Sequence, residues 1–273
     1  MRHRLQSYRG KTALITGASS GMGRLLALRL AREGARVALV ARRESELRRL
    51  AHEIERAGST ALVLPCDVGD RAQVFQAADE ALRTFGTVDL LVNNAGYGRH
   101  RRFLDWEIED MERMLRVNFL GTVYWTKAVL PHMVRRGNGW VVFMASVAGK
   151  IGVPDESVYA ASKFAQVGLA EALSLEVEDA GVHVLTVCPG AINTDFFDAE
   201  ARRRMPPVAA RSMIEPERVV DAIVHALARG KREITVPRFI AAGYLVRALA
   251  PGFMRRSTKR TTLQAVAKRS APA

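Results

Sequence analysis

Seven short runs of apolar and β-branched residues recur along the chain, at 12–16, 37–41, 61–65, 88–92, 140–145, 182–187 and 233–236, and stretches of helical length separate them. Nearly every position in these runs is apolar, so each reads as a strand buried on both faces. Strands of that kind, separated by helices, join through right-handed crossovers into a parallel sheet covered on both sides. The expected fold class is α/β, a single Rossmann-type doubly wound sheet of about seven strands with helices on both faces.

No linker rich in Gly, Ser or Pro precedes residue 189, and no repeat or low-complexity tract interrupts the pattern, so the 273 residues fit one domain. Three regions are expected: a basic extension over 1–10, the α/β body over 11–237, and a tail over 238–273 that is first apolar and then basic. Within the body, 191–214 breaks the rhythm with Phe196-Phe197, Arg202-Arg203-Arg204 and Pro206-Pro207. Lying beyond the carboxyl end of the sixth strand, it reads as a substrate lid, with an ordinary surface loop as the alternative.

The formal charge of +13 invites a nucleic-acid reading, but its distribution argues against one. Residues 1–11 hold four Lys or Arg and no acid, 12–228 hold 26 bases against 27 acids, and 229–273 hold 11 against one. A near-neutral body lacks the basic folded face that a run of phosphates requires. Cys66 and Cys188 lie far apart at the ends of apolar runs and read as buried free thiols of a reducing compartment. The six histidines have no metal-site spacing, so no metal is expected. The apolar segment after the basic N-terminus is too short for a signal-peptide core, and no run approaches the roughly 18 apolar residues of a membrane span. A cytoplasmic protein is expected.

The first strand runs into Thr16-Gly17-Ala18-Ser19-Ser20-Gly21-Met22-Gly23, and an amphipathic helical pattern follows over 24–33. Glycines there permit a tight turn and a close approach of backbone to a pyrophosphate, and the helix N-terminus offers free N–H groups to the phosphates. Farther on, Tyr159 and Lys163 are four apart and share one helix face, with Ser146 just after the fifth strand. A tyrosine with a pKa near 10 is a poor base at neutral pH, and a neighbouring ammonium favours its phenolate.

The chain resembles the short-chain dehydrogenase/reductase family, whose cofactor motif is TGxxxGxG. Asn93-Asn94-Ala95-Gly96 after the fourth strand matches its NNAG motif, and Asp67-Val68 after the third matches its adenine-contacting position. Pro189-Gly190, with Ile192 and Thr194 in the same PGxxxT segment, matches the stretch used near the nicotinamide carboxamide. The resemblance covers roughly 10–237 and implies a hydride transfer between nicotinamide and a carbonyl or alcohol carbon. It assigns proton transfer to Tyr159, a hydrogen bond on the substrate oxygen to Ser146, ribose contact and charge to Lys163, and a relay water to Asn118. Gly17, Ser19, Ser20, Gly21, Met22 and Gly23 would hold the phosphates. Asp67, Val68, Asn94, Ala95, Gly96, Pro189, Gly190, Ile192 and Thr194 would border the remainder of the cofactor, together with Tyr159 and Lys163.

The second strand ends Val40-Ala41-Arg42-Arg43-Glu44. An acid there would bind the ribose 2′-OH of NAD, whereas arginine suits the 2′-phosphate of NADP, so NADP(H) is expected. Either arginine could instead open the next helix in solvent, and Glu44 speaks for NAD. Phe103, Ile151, Val153, Phe196 and Phe197 point to a lipophilic carbonyl substrate of steroid-like, fatty or long-chain keto type. Arg99, His100, Arg101 and Arg102 would meet an anionic group or form a solvated loop. Two other function classes compete: a noncatalytic NADP(H)-binding scaffold and a basic nucleic-acid-binding protein. The family resemblance also implies a homo-oligomer, a dimer or tetramer, through helices at 121–136 and 157–180. The tail, apolar over 239–254 and basic from Arg255 to Arg260, suits either an anionic membrane surface or packing over the pocket.

Overall fold

The computed structural model describes residues 4–194, 196 and 212–263. Its strands are β1 (Thr12–Thr16), β2 (Arg36–Ala41), β3 (Ala61–Pro65), β4 (Leu90–Asn93), β5 (Gly139–Met144), β6 (Val182–Pro189) and β7 (Glu233–Val236). They form one sheet in the order β3-β2-β1-β4-β5-β6-β7, with every neighbouring pair parallel. The helices are α1 (Gly21–Arg32), α2 (Glu44–Arg56), α3 (Arg71–Phe85), α4 (Ile108–Leu115), α5 (Gly121–Arg136), α6 (Ser157–Val177) and α7 (Pro216–Ala228). Beyond β7 come α8 (Ala241–Leu249) and α9 (Pro251–Thr258).

Successive side chains of a strand leave opposite faces of the sheet, and here both faces are core. Ala13 and Ile15 of β1 and Leu39 of β2 meet Leu26 and Leu30 of α1, Leu47 of α2 and Ile223 of α7. Leu14, Val40 and Phe143 point the other way, onto Val74 of α3, Trp125 of α5 and Leu173 of α6. The continuous apolar runs therefore reflect two cores separated by one sheet. Leu5 and Tyr8, from the segment read as a basic extension, are buried in the first core, where the Leu5 N–H donates to Leu227 O at 3.0 Å.

Two strands outrun their expected ends. Asn93 stays in register with Phe143, and Pro189 with Val236, because the neighbouring ladders continue past residues whose types signal turns. Of the segment expected to form a lid, residues 195 and 197–211, including Phe197, Arg202–Arg204 and Pro206-Pro207, lie outside the described residues.

At the end of the sheet away from the site, Asp89 is 3% exposed. Its Oδ2 accepts the Thr12 N–H at 2.9 Å, its Oδ1 accepts Arg136 Nη2 at 2.6 Å, and Lys11 Nζ lies 4.0 Å away. Removing a buried carboxylate that satisfies a strand amide and a cation leaves both without it. Asp89→Ala is expected to destabilise the fold by about 3 kcal/mol, read by urea denaturation.

Candidate active site

Strand order reverses between β1 and β4, and the loops that leave their carboxyl ends diverge there to open a crevice. Thr16 and Asn94 hold its floor. Thr16 Oγ1 accepts the N–H groups of Asn94 and Ala95, both at 2.9 Å, and Asn94 Nδ2 donates to Thr16 O at 2.8 Å. Gly17, at φ +69°, passes so close that a Cβ would lie 2.9 Å from Ala95 Cα. Gly23 sits one turn into α1 against the same loop, where a Cβ would overlap the Gly17 carbonyl oxygen and lie 2.6 Å from Asn94 Nδ2. It allows the helix to approach the loop and does not itself line the crevice.

The crevice is part of one cavity of about 1230 Å³. At one end are Gly17, Ser19, Ser20, Gly21 and Met22 of the glycine loop, with Arg42 and Arg43 at the end of β2. Arg43 reaches back across the loop and donates to Ser19 Oγ at 3.0 Å and Ser20 Oγ at 2.8 Å. Arg42 is exposed. Glu44 turns away into the first turn of α2, where it pairs with Arg48 at 2.5 Å. Asp67 and Val68 form one wall, and Asp67 Oδ1 accepts the Gly69 N–H at 2.9 Å. Asn94, Ala95 and Gly96 form the floor, and Pro189, Gly190, Ile192 and Thr194 the opposite wall.

Ser146, Tyr159 and Lys163 line the other end. Ser146 caps the short turn Val147–Gly149, with its Oγ accepting the Ala148 N–H at 3.1 Å, which leaves its one hydroxyl proton to donate toward Tyr159. The Tyr159 ring borders the cavity and stacks at a tilt on Phe196, with centroids 5.8 Å apart. Burial pushes the phenol above the ordinary tyrosine range, the Glu156 carboxylate adds to this, and a hydrogen bond with Ser146 opposes both. Lys163 is 4% exposed, and burial pulls its amine down to about 7. Its Nζ donates to Met144 O at 2.7 Å and Gln166 Oε1 at 2.9 Å, and lies 5.7 Å from the Tyr159 ring centroid. At neutral pH this pair thus holds a protonated phenol beside an amine poised between its two forms.

Asn118 is fully buried and lies behind the cavity wall. It sits in a π-helical turn, Arg116–Leu120, between α4 and α5. Its side chain is spent on Tyr97, accepting the N–H at 3.0 Å and donating to the carbonyl at 2.8 Å, with Ser162 Oγ at 3.2 Å. Its main-chain carbonyl accepts from Gln166 Nε2 at 2.7 Å and Thr122 Oγ1 at 3.1 Å.

Other expectations about the substrate side separate. Ile151, Val153 and Phe196 line the cavity, whereas Phe103 is 61% exposed in the short turn Phe103–Asp105 and does not. Arg99 and Arg101 share the single carboxylate of Asp110, and His100 lies 2.5 Å from Glu156, so these three side chains are engaged within the protein. The sequence reading missed Gln166 altogether, although Lys163–Gln166 and Asn118–Thr122 have the spacings of residues sharing a helix face. It also missed Arg113, on the cavity wall with Arg42, and Met254, Ser257, Thr258 and Thr261 of the tail, which line the same cavity. Among the described residues no group of His, Cys, Asp and Glu is arranged to hold a metal.

Residues 11–204 match the short chain dehydrogenase family, and the chain belongs to it. It is 34% identical over 227 residues to the ketoacyl reductase HetN of Nostoc sp., covering 83% of this chain and 78% of that one. A short chain dehydrogenase/reductase of Burkholderia phymatum, solved in complex with NAD, superposes with a TM-score of 0.83 at 30% identity, over 91% of this chain and 96% of that one. A metagenomic short-chain oxidoreductase solved with NADP gives 0.73 at 28% identity, over 84% and 96%. The chain is thus a dehydrogenase or reductase with a nicotinamide cofactor and a small-molecule substrate. The residues present fit that cofactor: the loop leaves no room for Cβ atoms at Gly17 and Gly23, and the first turn of α1 opens on the cavity.

Gly23→Ala forces the loop and helix apart. It is expected to weaken NADH and NADPH binding alike by about thirtyfold or more, measured by titration of protein fluorescence, the equivalent of about 2 kcal/mol of overpacking.

Proposed function

We propose that this protein is an NADP(H)-dependent oxidoreductase that interconverts a carbonyl and a secondary alcohol on a lipophilic substrate of steroid-like, fatty or long-chain keto type. One observation carries the reading: Ser146, Tyr159 and Lys163 share a single cavity with the glycine loop, Arg42 and Arg43. Similarity to a ketoacyl reductase supports the fatty keto substrate, as do Ile151, Val153 and Phe196 on the cavity wall.

The nicotinamide ring, when bound, supplies or accepts the hydride at the substrate carbon. Ser146 presents its hydroxyl proton to the substrate oxygen and orients the carbonyl. Tyr159, kept protonated by burial, gives its phenolic proton to that oxygen as negative charge develops. Lys163 stabilises the resulting phenolate through its charge and would bond the nicotinamide ribose. Asn118 fixes the Tyr97 backbone beside the site. Asp67 and Val68 would hold the adenine, Asn94 to Gly96 the middle of the cofactor, and the Pro189–Thr194 stretch the carboxamide, all of them lining the same cavity.

Tyr159→Phe removes only the phenolic oxygen. In a screen of ketones and aldehydes followed by NADPH absorbance, it is expected to lower turnover by at least about a thousandfold, within the range of a general acid. NADPH affinity should stay within a few fold. Parent protein that binds NADPH but reduces no carbonyl would instead make it a noncatalytic scaffold.

The preference for NADP(H) rests on Arg42 at the mouth of the 2′ subsite, Arg43 fixed across the loop, and Glu44 committed to Arg48. Replacing both arginines with alanine is expected to raise the KM for NADPH about thirtyfold more than that for NADH, roughly the worth of one charge-assisted hydrogen bond. Equal parent efficiency with the two cofactors contradicts the preference.

The reading includes a homo-oligomer through α5 and α6, where Val134 and Leu175 stand exposed. It also includes peripheral contact with the inner face of a membrane. Gly243 and Arg247 turn one side of α8 to the body, Gly243 toward Ile151 and Arg247 onto the Phe164 ring. The opposite side presents Leu245 and Leu249, the latter 84% exposed, and Phe253 follows on α9. Arg238 precedes them in the chain and Arg255, Arg256, Lys259 and Arg260 follow, with no acid over 234–263. A second copy on this face would bring like charges together, whereas an anionic lipid surface complements them. Among the described residues no helix is long and apolar enough to cross a membrane. Full-length protein is expected to sediment with vesicles containing phosphatidylglycerol and not with phosphatidylcholine alone. Replacing Arg255 and Arg256 with glutamine should weaken partitioning about thirtyfold, from about 1 kcal/mol per cation. Failure to sediment at low salt rejects the membrane contact.

A further inference from the structure

Gln166 lies one helical turn beyond Lys163 and is fully buried. A buried amide is costly unless its groups are bonded, and here three bonds are made. Oε1 accepts from Lys163 Nζ at 2.9 Å, and Nε2 donates to Asn118 O at 2.7 Å and Thr122 Oγ1 at 2.8 Å.

The direction of this amide is forced. The Asn118 main-chain oxygen can only accept. The Thr122 hydroxyl spends its one proton on that same oxygen, at 3.1 Å, so its oxygen is left to accept as well. The amide nitrogen must therefore face the π-helical turn, and the amide oxygen must face Lys163. Reversing the amide would set its oxygen against two acceptors. The link between Lys163 and the turn that carries Asn118 is thus made by a side chain with only one workable orientation.

We propose that Gln166 is a positioning residue, whose forced acceptor holds the Lys163 amine beside Tyr159 and favours its charged form. The proposal deepens the reading of Tyr159 and Lys163 as the proton-handling pair and rests on it for its role in turnover. The other groups facing Lys163 leave it this task. Tyr159, on the same helix, is a neutral phenol at physiological pH, held so by burial and the nearby Glu156. Cys188 of β6 is a buried thiol pushed up to about 12 and stays neutral, while the charges near it, Lys150 and Glu233, pair with each other at 2.7 Å. Burial alone disfavours the Lys163 ammonium, and the oxygens of Met144 and Gln166 oppose it.

The test follows the side-chain NMR resonance of Lys163, assigned by its loss in Lys163→Met, as pH is varied on the full chain without added cofactor. Gln166→Leu keeps the bulk and removes the acceptor, and should lower the titration midpoint by about one pH unit or more, the worth of a hydrogen bond to a charged group. Gln166→Glu puts a carboxylate there and should raise it. Thr122→Val loosens the amide's orientation and should lower it by less, which keeps the question decidable if Gln166→Leu does not fold. The alkaline limb of carbonyl reduction should move in the same directions. Midpoints that stay put, or move the same way in the Leu and Glu variants while thermal stability falls, would reduce Gln166 to a packing role and overturn the proposal. Opposite shifts in a protein that reduces no carbonyl would uphold the action on Lys163 and defeat the oxidoreductase reading instead.

Discussion

Thr16 and Asn94 tie the carboxyl ends of β1 and β4 together where the order of the sheet reverses, and the rest of the site is arranged around that tie. With β1 feeding α1 on one face and β4 leading toward helices on the other, the loops separate. Without a bond between them the crevice floor would have no fixed width. Thr16 uses a single hydroxyl to satisfy two backbone N–H groups, and Asn94 returns a bond to the strand it faces. Gly17 and Gly23 are the steric counterpart of this bonding, since loop, floor and helix come too close to admit side-chain carbon.

At the far end of the cavity the governing term is the cost of burying an amine. Lys163 sits where β5 and α6 meet the π-helical turn, and its two bonds go to carbonyl oxygens of Met144 and Gln166. Burial takes the amine down to about 7, and acceptors without formal charge do not lock it in the charged state as a carboxylate partner would. A phenol raised by burial and an amine lowered by burial stand side by side, so burial disfavours the charged form of both and holds the proton on the phenol until negative charge develops on the substrate oxygen.

Much of the fold was legible because its strands are apolar on both faces, a pattern that only a doubly covered parallel sheet explains. The cofactor loop, Ser146, Tyr159 and Lys163 were legible because their spacing relative to strand ends carries geometry. Gln166 was not, since a polar residue on a helix reads as solvent-facing until the carbonyl of a distant π-helical turn is known to need a donor. Phe103 failed for the converse reason: an aromatic side chain near a pocket loop reads as lining, and only the short turn Phe103–Asp105 reveals that it points outward. The tail was readable in composition but not in direction. One side of α8 turns to the body, the other stays open, and residues of α9 line the cavity.

The account stands or falls on hydride transfer to a carbonyl carbon inside this cavity. The most direct measurement supplies NADPH carrying deuterium at the transferable position of the nicotinamide C4, with a long-chain ketone, and analyses the alcohol by mass spectrometry. The account predicts deuterium bound to the carbinol carbon, one atom for each NADPH oxidised. Oxidation of NADPH with no labelled alcohol, or alcohol whose carbinol hydrogen comes from water, would contradict it.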